Sequence, residues 1–176
     1  MRAIGLFIAV WILAGPALAD PLPSPIAQAS QGQLQCYAPN PARRTCQAMA
    51  GYAAKADGSI DNPSTLMISP APLILMRAVT PVTIKAGQVC GYVRASDITG
   101  AQFTINGQPA TPEQAAMLSG RLATAEKAMF DHEICTAYVP DGDGLIAKAS
   151  IDGVAQPKGD QKVIWVSPAD GYKVGP

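Results

Sequence analysis

The chain has 176 residues, 48% of them hydrophobic and 15% charged, and its 13 Lys and Arg balance its 13 Asp and Glu. That balance argues against nucleic acid or an anionic membrane surface as partner, because both demand a clustered positive excess. The low charge also argues against a solvated disordered chain, and the length suits one domain with a buried core.

Met1-Arg2 is followed by an apolar run from Ile4 to Ala14, then Gly15-Pro16 and the small residues Ala17 and Ala19 before Asp20. These are the positive, hydrophobic and cleavage regions of a secretory signal peptide over 1–19, cut between Ala19 and Asp20. The apolar run breaks at Gly15-Pro16, short of the roughly 20 residues that a spanning helix requires. Lipid attachment needs a cysteine at the new N-terminus, and the first one is Cys36. The expectation is a soluble periplasmic or secreted protein with no membrane span after cleavage.

Residues 20–32 hold Pro21, Pro23 and Pro25 without periodicity and read as a flexible leader, which leaves 33–176 as a single small domain. Short apolar runs follow at Leu34–Tyr37, Thr45–Tyr52, Thr65–Ile68, Leu73–Val79, Val82–Ile84, Gln88–Val93 and Ala101–Ile105. Asp57-Gly58 and Asn106-Gly107 supply turn residues that tolerate positive φ, so the pattern is that of a β-meander.

Thr111-Pro112-Glu113-Gln114 then sets out a capping box with proline at the first helical position. Leu118, Leu122, Ala125 and Met129 recur at helical spacing, which predicts one amphipathic helix over 112–130. Strands resume with the alternating Leu145–Ile151 and the apolar Val163–Val166, separated by turns at Asp141-Gly142-Asp143-Gly144 and Asp152-Gly153. The fold class is α+β: an antiparallel meander sheet carrying one inserted helix on one face.

Four cysteines, Cys36, Cys46, Cys90 and Cys135, lie beyond the signal, and an even count in an exported chain predicts two disulfides. Their wide spacing does not suit zinc, which favours Cys pairs two to four residues apart. A faint repeat bears on the pairing. Gln35-Cys36-Tyr37, Cys46-Gln47-Ala48, Ser59-Ile60-Asp61 and Ile68-Ser69-Pro70-Ala71 are echoed by Val89-Cys90-Gly91-Tyr92, Cys135-Thr136-Ala137, Ser150-Ile151-Asp152 and Val166-Ser167-Pro168-Ala169. A two-half pseudo-repeat would pair Cys36 with Cys46 and Cys90 with Cys135.

Catalytic signals are sparse. His132, the single histidine, sits between Asp131 and Glu133 with no nucleophile turn in the sequence to serve. Asp141-Gly142-Asp143-Gly144 resembles the start of a calcium loop but runs straight into Leu145-Ile146-Ala147, so a hairpin turn is the better reading. No metal site and no cofactor motif emerges. A bridge from Cys36 to Cys46 would close a proline-stiffened loop presenting Arg43 and Arg44, and a pre-ordered arginine pair suits an interface.

These features point to a non-catalytic binding or interaction module outside the cytoplasm, with a protein or envelope component as partner. Two alternatives stand beside it: an inhibitor that offers the Arg43-Arg44 loop to a protease, and a hydrolase that uses carboxylates with His132.

Overall fold

The structure is a computed structural model that describes residues 22–176. The signal segment and its Ala19–Asp20 cleavage point lie outside the described residues. In chain order the strands begin with β1 (Leu34–Tyr37), β2 (Thr45–Cys46), β3 (Ala48–Ala50), β4 (Ala53–Ala54), β5 (Ile60–Pro70), β6 (Leu73–Lys85) and β7 (Gln88–Tyr92). An insertion follows, made of α1 (Ala95–Thr99), β8 (Gln102–Ile105), β9 (Gln108–Pro109) and α2 (Pro112–Ala125). The chain then completes β10 (Glu133–Asp141), β11 (Gly144–Ile151), β12 (Val154–Ala155), β13 (Gln161–Val166) and β14 (Lys173–Val174).

Eight strands close into an antiparallel barrel. Its circuit runs β5-β3-β1-β13-β11-β10-β7-β6, and β6 pairs back onto β5. Strands β4, β8, β9 and β12 extend the sheet outside this circuit, while β14 lies parallel to β2 as a separate pair. Closure leaves no open edge on the eight strands, which removes the aggregation hazard of an open meander.

Period-2 alternation sorts the side chains. The register pairs Gln35 with Ala50 and Trp165, Tyr37 with Ala48 and Val163, Tyr138 with Ala147, Val89 with Thr136 and Ile84, and Ile60 with Val82, which places these residues on the inner face. Cys36, Cys90 and Cys135 belong to the opposite face. Leu22, Ile26, Tyr52, Ile60, Val82 and Val89 form one buried cluster, flanked by Tyr138 and Trp165. A second cluster of Cys36, Cys46 and Val166 lies against the outer wall with Leu34, Met49, Ile164 and Tyr172.

The tight hairpins place consecutive residues in the left-handed region: Ala86-Gly87 at φ 48° and 76°, Asn106-Gly107 at 50° and 82°, and Asp152-Gly153 at 47° and 81°. Two positive φ values in succession match the strand twist in a two-residue turn. Pro81 is tolerated inside β6 because the β6–β7 ladder ends at the Val82–Gly91 pair, one residue short of it.

Several expectations need correction. The sheet is a closed barrel, and α1 joins α2 as a second helix packed against it, Ser119 donating its hydroxyl to the carbonyl of Ile98. The long helix starts at the expected capping box, where Thr111 Oγ1 accepts from Gln114 N, but it ends at Ala125. Lys127–Met129 forms a 3-10 turn, so Met129 does not extend the α-helical stripe.

The pseudo-repeat landmarks do not fall at matching strand positions. Ser59-Ile60-Asp61 opens strand β5 whereas Ser150-Ile151-Asp152 closes β11, although each half keeps its own arc of the barrel, β5-β3-β1 and β13-β11-β10-β7. Residues 22–32 also differ from a loose leader: Leu22 and Ile26 are 8% and 0% exposed, and Ala27–Gln31 forms a 3-10 turn. Two isolated apolar residues among prolines give no periodic signal, yet they plug the barrel.

Candidate functional site

Strand β1 brings two polar residues into the barrel, Gln35 and Tyr37, and Gln35 is fully buried. Tyr52, just past β3, and Tyr138, from β10, converge on the same point. Three phenol hydroxyls reach one amide oxygen: Tyr37 donates to Gln35 Oε1 at 2.9 Å, Tyr52 at 2.8 Å and Tyr138 at 3.0 Å. The hydroxyls also meet one another, Tyr37 with Tyr138 at 2.5 Å and Tyr52 with Tyr138 at 3.1 Å.

An amide oxygen has two lone pairs, so three donors oversubscribe it and one proton passes between the tyrosines. Such a network is rigid when complete and costly when interrupted. Two buried donors in the same interior, Gln35 Nε2 and Trp165 Nε1, have no partner among the described residues.

Burial holds the three phenols protonated. Desolvation is the largest cause in each case and raises the pKa of Tyr37, Tyr52 and Tyr138 above the ordinary value, with repulsion from neighbouring tyrosines adding to the rise at Tyr37 and Tyr52. Because the folded pKa values exceed the unfolded ones, their contribution to stability is complete below about pH 10 and is lost as pH rises from there. An ultraviolet titration should show these phenolates appearing in one cooperative step that coincides with loss of the barrel's circular dichroism. Gradual ionisation within an intact fold would contradict their burial.

Above the cluster the barrel opens into a cavity of about 200 Å³. Its wall is made by Tyr37, Tyr52 and Tyr138, by the polar Asn62, Thr80 and Thr136, and by the aliphatic Val82, Val89, Val93 and Ile134. No charged side chain lines it, although Arg94 lies over the Tyr92 ring at 5.6 Å from its centre. Gly91 also contributes, and a Cβ there would come within 3.2 Å of both the Pro81 carbonyl and Val82 Cγ1, so glycine permits the close approach of β6 and β7 at this point.

A larger groove of about 1020 Å³ runs along the outside of the barrel. Its floor is the outer face of β3, β5 and β6, with Met49, Pro63, Leu75 and Val79; α1 forms one wall, and Tyr172 to Val174 form the other. Val79 is 54% exposed there. Arg77 and Lys173 line this groove, and neither has an acidic partner within ion-pair distance among the described residues.

Cys36 is bonded to Cys46 and Cys90 to Cys135, and all four cysteines are oxidised. The first bridge closes the loop that carries Arg43 and Arg44, both exposed. The loop is a turn: Arg43 N donates to the Asn40 carbonyl and Arg44 N to the Pro41 carbonyl, while Arg44 has φ 51°. Proteases engage their substrates as extended strands, a form this backbone does not present. The Arg44 carbonyl accepts from Lys173 N at 3.1 Å, which sets the arginine turn beside the C-terminal wall of the groove.

His132 is drawn to Asp152, its Nδ1 lying 2.5 Å from Asp152 Oδ2, and its sequence neighbours Asp131 and Glu133 are not its partners. That hydrogen bond, together with the Glu133 amide, holds the Asp152 carboxyl below its usual range. A carboxylate that orients an imidazole is two parts of a triad. Among the described residues, no hydroxyl or thiol is hydrogen-bonded to this imidazole. Asp141-Gly142-Asp143-Gly144 forms the β10–β11 hairpin turn, where Asp141 pairs with Gly144.

No helix among the described residues is long and apolar enough to cross a membrane. Compared with known proteins, the chain matches no family model, no curated protein and no solved structure. The tyrosine cluster and the groove were not singled out by motif. The one available hint was Gln35-Cys36-Tyr37, where alternation puts two polar side chains on the face opposite a cysteine.

Proposed function

We propose that this chain is an exported, non-catalytic binding module and that it engages an acidic segment of another protein in the outer groove. The observation that carries this reading is the pairing of an apolar floor, half-buried at Leu75 and exposed at Val79, with unpaired cations at Arg77 and Lys173. An apolar centre supplies affinity through burial, and a charged rim selects partner and register. The Arg43-Arg44 turn adds positive charge beside the same wall, so the loop acts as part of the rim.

Two disulfides fit an oxidising compartment, and a closed barrel offers a rigid platform that loses little freedom on binding. Affinity capture from the native cell envelope tests the charge complementarity. Wild-type protein should retain a partner that raised salt releases, and the double variant R77E/K173E should lose it while melting at an unchanged temperature. Equal recovery by the variant would remove the groove from the account.

A further inference from the structure

We propose that the barrel mouth is a second, separate binding site for one small uncharged molecule that joins a single oxygen hydrogen-bonding group to a flat apolar body. Closing eight strands leaves an interior that side chains fill or that holds one small ligand. Here the filling is incomplete, since Leu22 and Ile26 join the buried cluster against Ile60, Val82 and Val89 while about 200 Å³ stays open beside Asn62, Thr80 and Thr136. A cavity of roughly 150 Å³ accommodates benzene, so this volume suits one six-membered ring bearing a small substituent.

The wall sets the chemistry. Four aliphatic residues, Val82, Val89, Val93 and Ile134, together with the rings of Tyr37, Tyr52 and Tyr138, offer apolar and aromatic contact to a flat body. At its base the three hydroxyls share one amide oxygen, so the cluster re-orients a proton or a lone pair toward an incoming oxygen without losing its own connectivity. The same wall lacks any charged side chain to neutralise an ionic ligand, and an unpaired charge there is penalised by desolvation. Pocket and groove lie on opposite faces of the sheet, so occupation of one does not require the other.

The test is a nuclear magnetic resonance titration of the disulfide-intact protein with phenol, toluene and benzoate at neutral pH. Phenol should give saturable shifts at the amides of Thr80, Gly91, Val93 and Thr136. Toluene, which keeps the ring and loses the oxygen, should bind roughly fivefold to tenfold more weakly. Benzoate should bind at least about a hundredfold more weakly than phenol.

In Y138F the phenol affinity should fall roughly fivefold; T136V provides a milder probe of the same wall if Y138F does not fold. Absence of saturable phenol shifts, benzoate binding as tight as phenol, or shifts confined to Val79 and Lys173 would overturn the proposal. The first two results leave the groove reading intact, because it makes no claim on the barrel interior.

Discussion

Replacing Cys90 and Cys135 together by alanine should lower stability by about 4 kcal/mol, and replacing Cys36 and Cys46 by about 3 kcal/mol. The difference follows from the loops they close, with sequence separations of 45 and 10 residues. Position in the fold reinforces it. Cys90 and Cys135 face each other across the β7–β10 ladder, at the seam where the chain leaves the barrel to build both helices and returns. Without that bridge, β7 and β10 must find each other across the whole insertion.

Cys36 and Cys46 instead fasten β1 to the short β2 beneath the C-terminal segment, at 0% and 1% exposure. Their loss has a packing component, because Val166, Leu34 and Met49 close around them. Urea unfolding of the two paired variants measures both effects. A larger loss from the Cys36 and Cys46 pair would show that packing outweighs loop closure in this barrel.

Substituting Gln35 by leucine should cost about 2 kcal/mol, since the amide oxygen accepts from two of the three buried hydroxyls at a time and each lost bond costs about 1 kcal/mol. Relief of the unpartnered Gln35 Nε2 offsets a part of this, and the tyrosine-to-tyrosine bonds limit it further. A double-mutant cycle separates the network from simple packing: Y138F should cost less in the Q35L background than in the wild type, with a coupling of about 1 kcal/mol. Strict additivity would mean that Gln35 and Tyr138 are neighbours without being energetically joined.

Local chemistry was legible in the sequence wherever it was self-contained. The capping box at Thr111 and Gln114 and the Asn106-Gly107 and Asp152-Gly153 turns depend on residues adjacent in the chain, and each appears in the folded protein. Closure of the barrel was not legible, because it rests on β1 pairing with β13, which joins Leu34 to Val166 from nearly opposite ends of the chain. Periodicity reports which residues share a face and is silent about which strand lies beside them.

Polar residues inside the barrel compounded the difficulty. Asn62 and Ser64 occupy inward positions of β5, so the strand read as starting at Thr65 when it begins at Ile60. Strand β10 was hidden in the same way by Thr136 and Tyr138. The features that obscured the pattern are the ones that make the candidate mouth: Asn62, Thr136 and Tyr138 all line it. Ala86 at φ 48° was illegible for a different reason, since alanine carries no preference for the left-handed region and the hairpin relies on Gly87 beside it.

The groove escaped notice because its parts come from β3, β5, β6, α1 and the C-terminal segment, which only the fold assembles. Arg43 and Arg44 were visible as a pair, but their place beside Lys173 depends on β14 lying parallel to β2. That arrangement changes the meaning of the arginine loop from an isolated offering to one margin of a larger surface.

The measurement that most directly tests the groove as the working face is photo-crosslinking in intact cells, with a photoreactive residue placed at Val79 in one version and at Val154 in another. Both positions are exposed apolar sites, at 54% and 66%, and only Val79 lies in the groove. The account predicts a discrete crosslinked partner from position 79 that disappears in the R77E/K173E background, and none of comparable yield from position 154. Equal crosslinking from both positions, or a position-79 adduct unaffected by charge reversal, would contradict it.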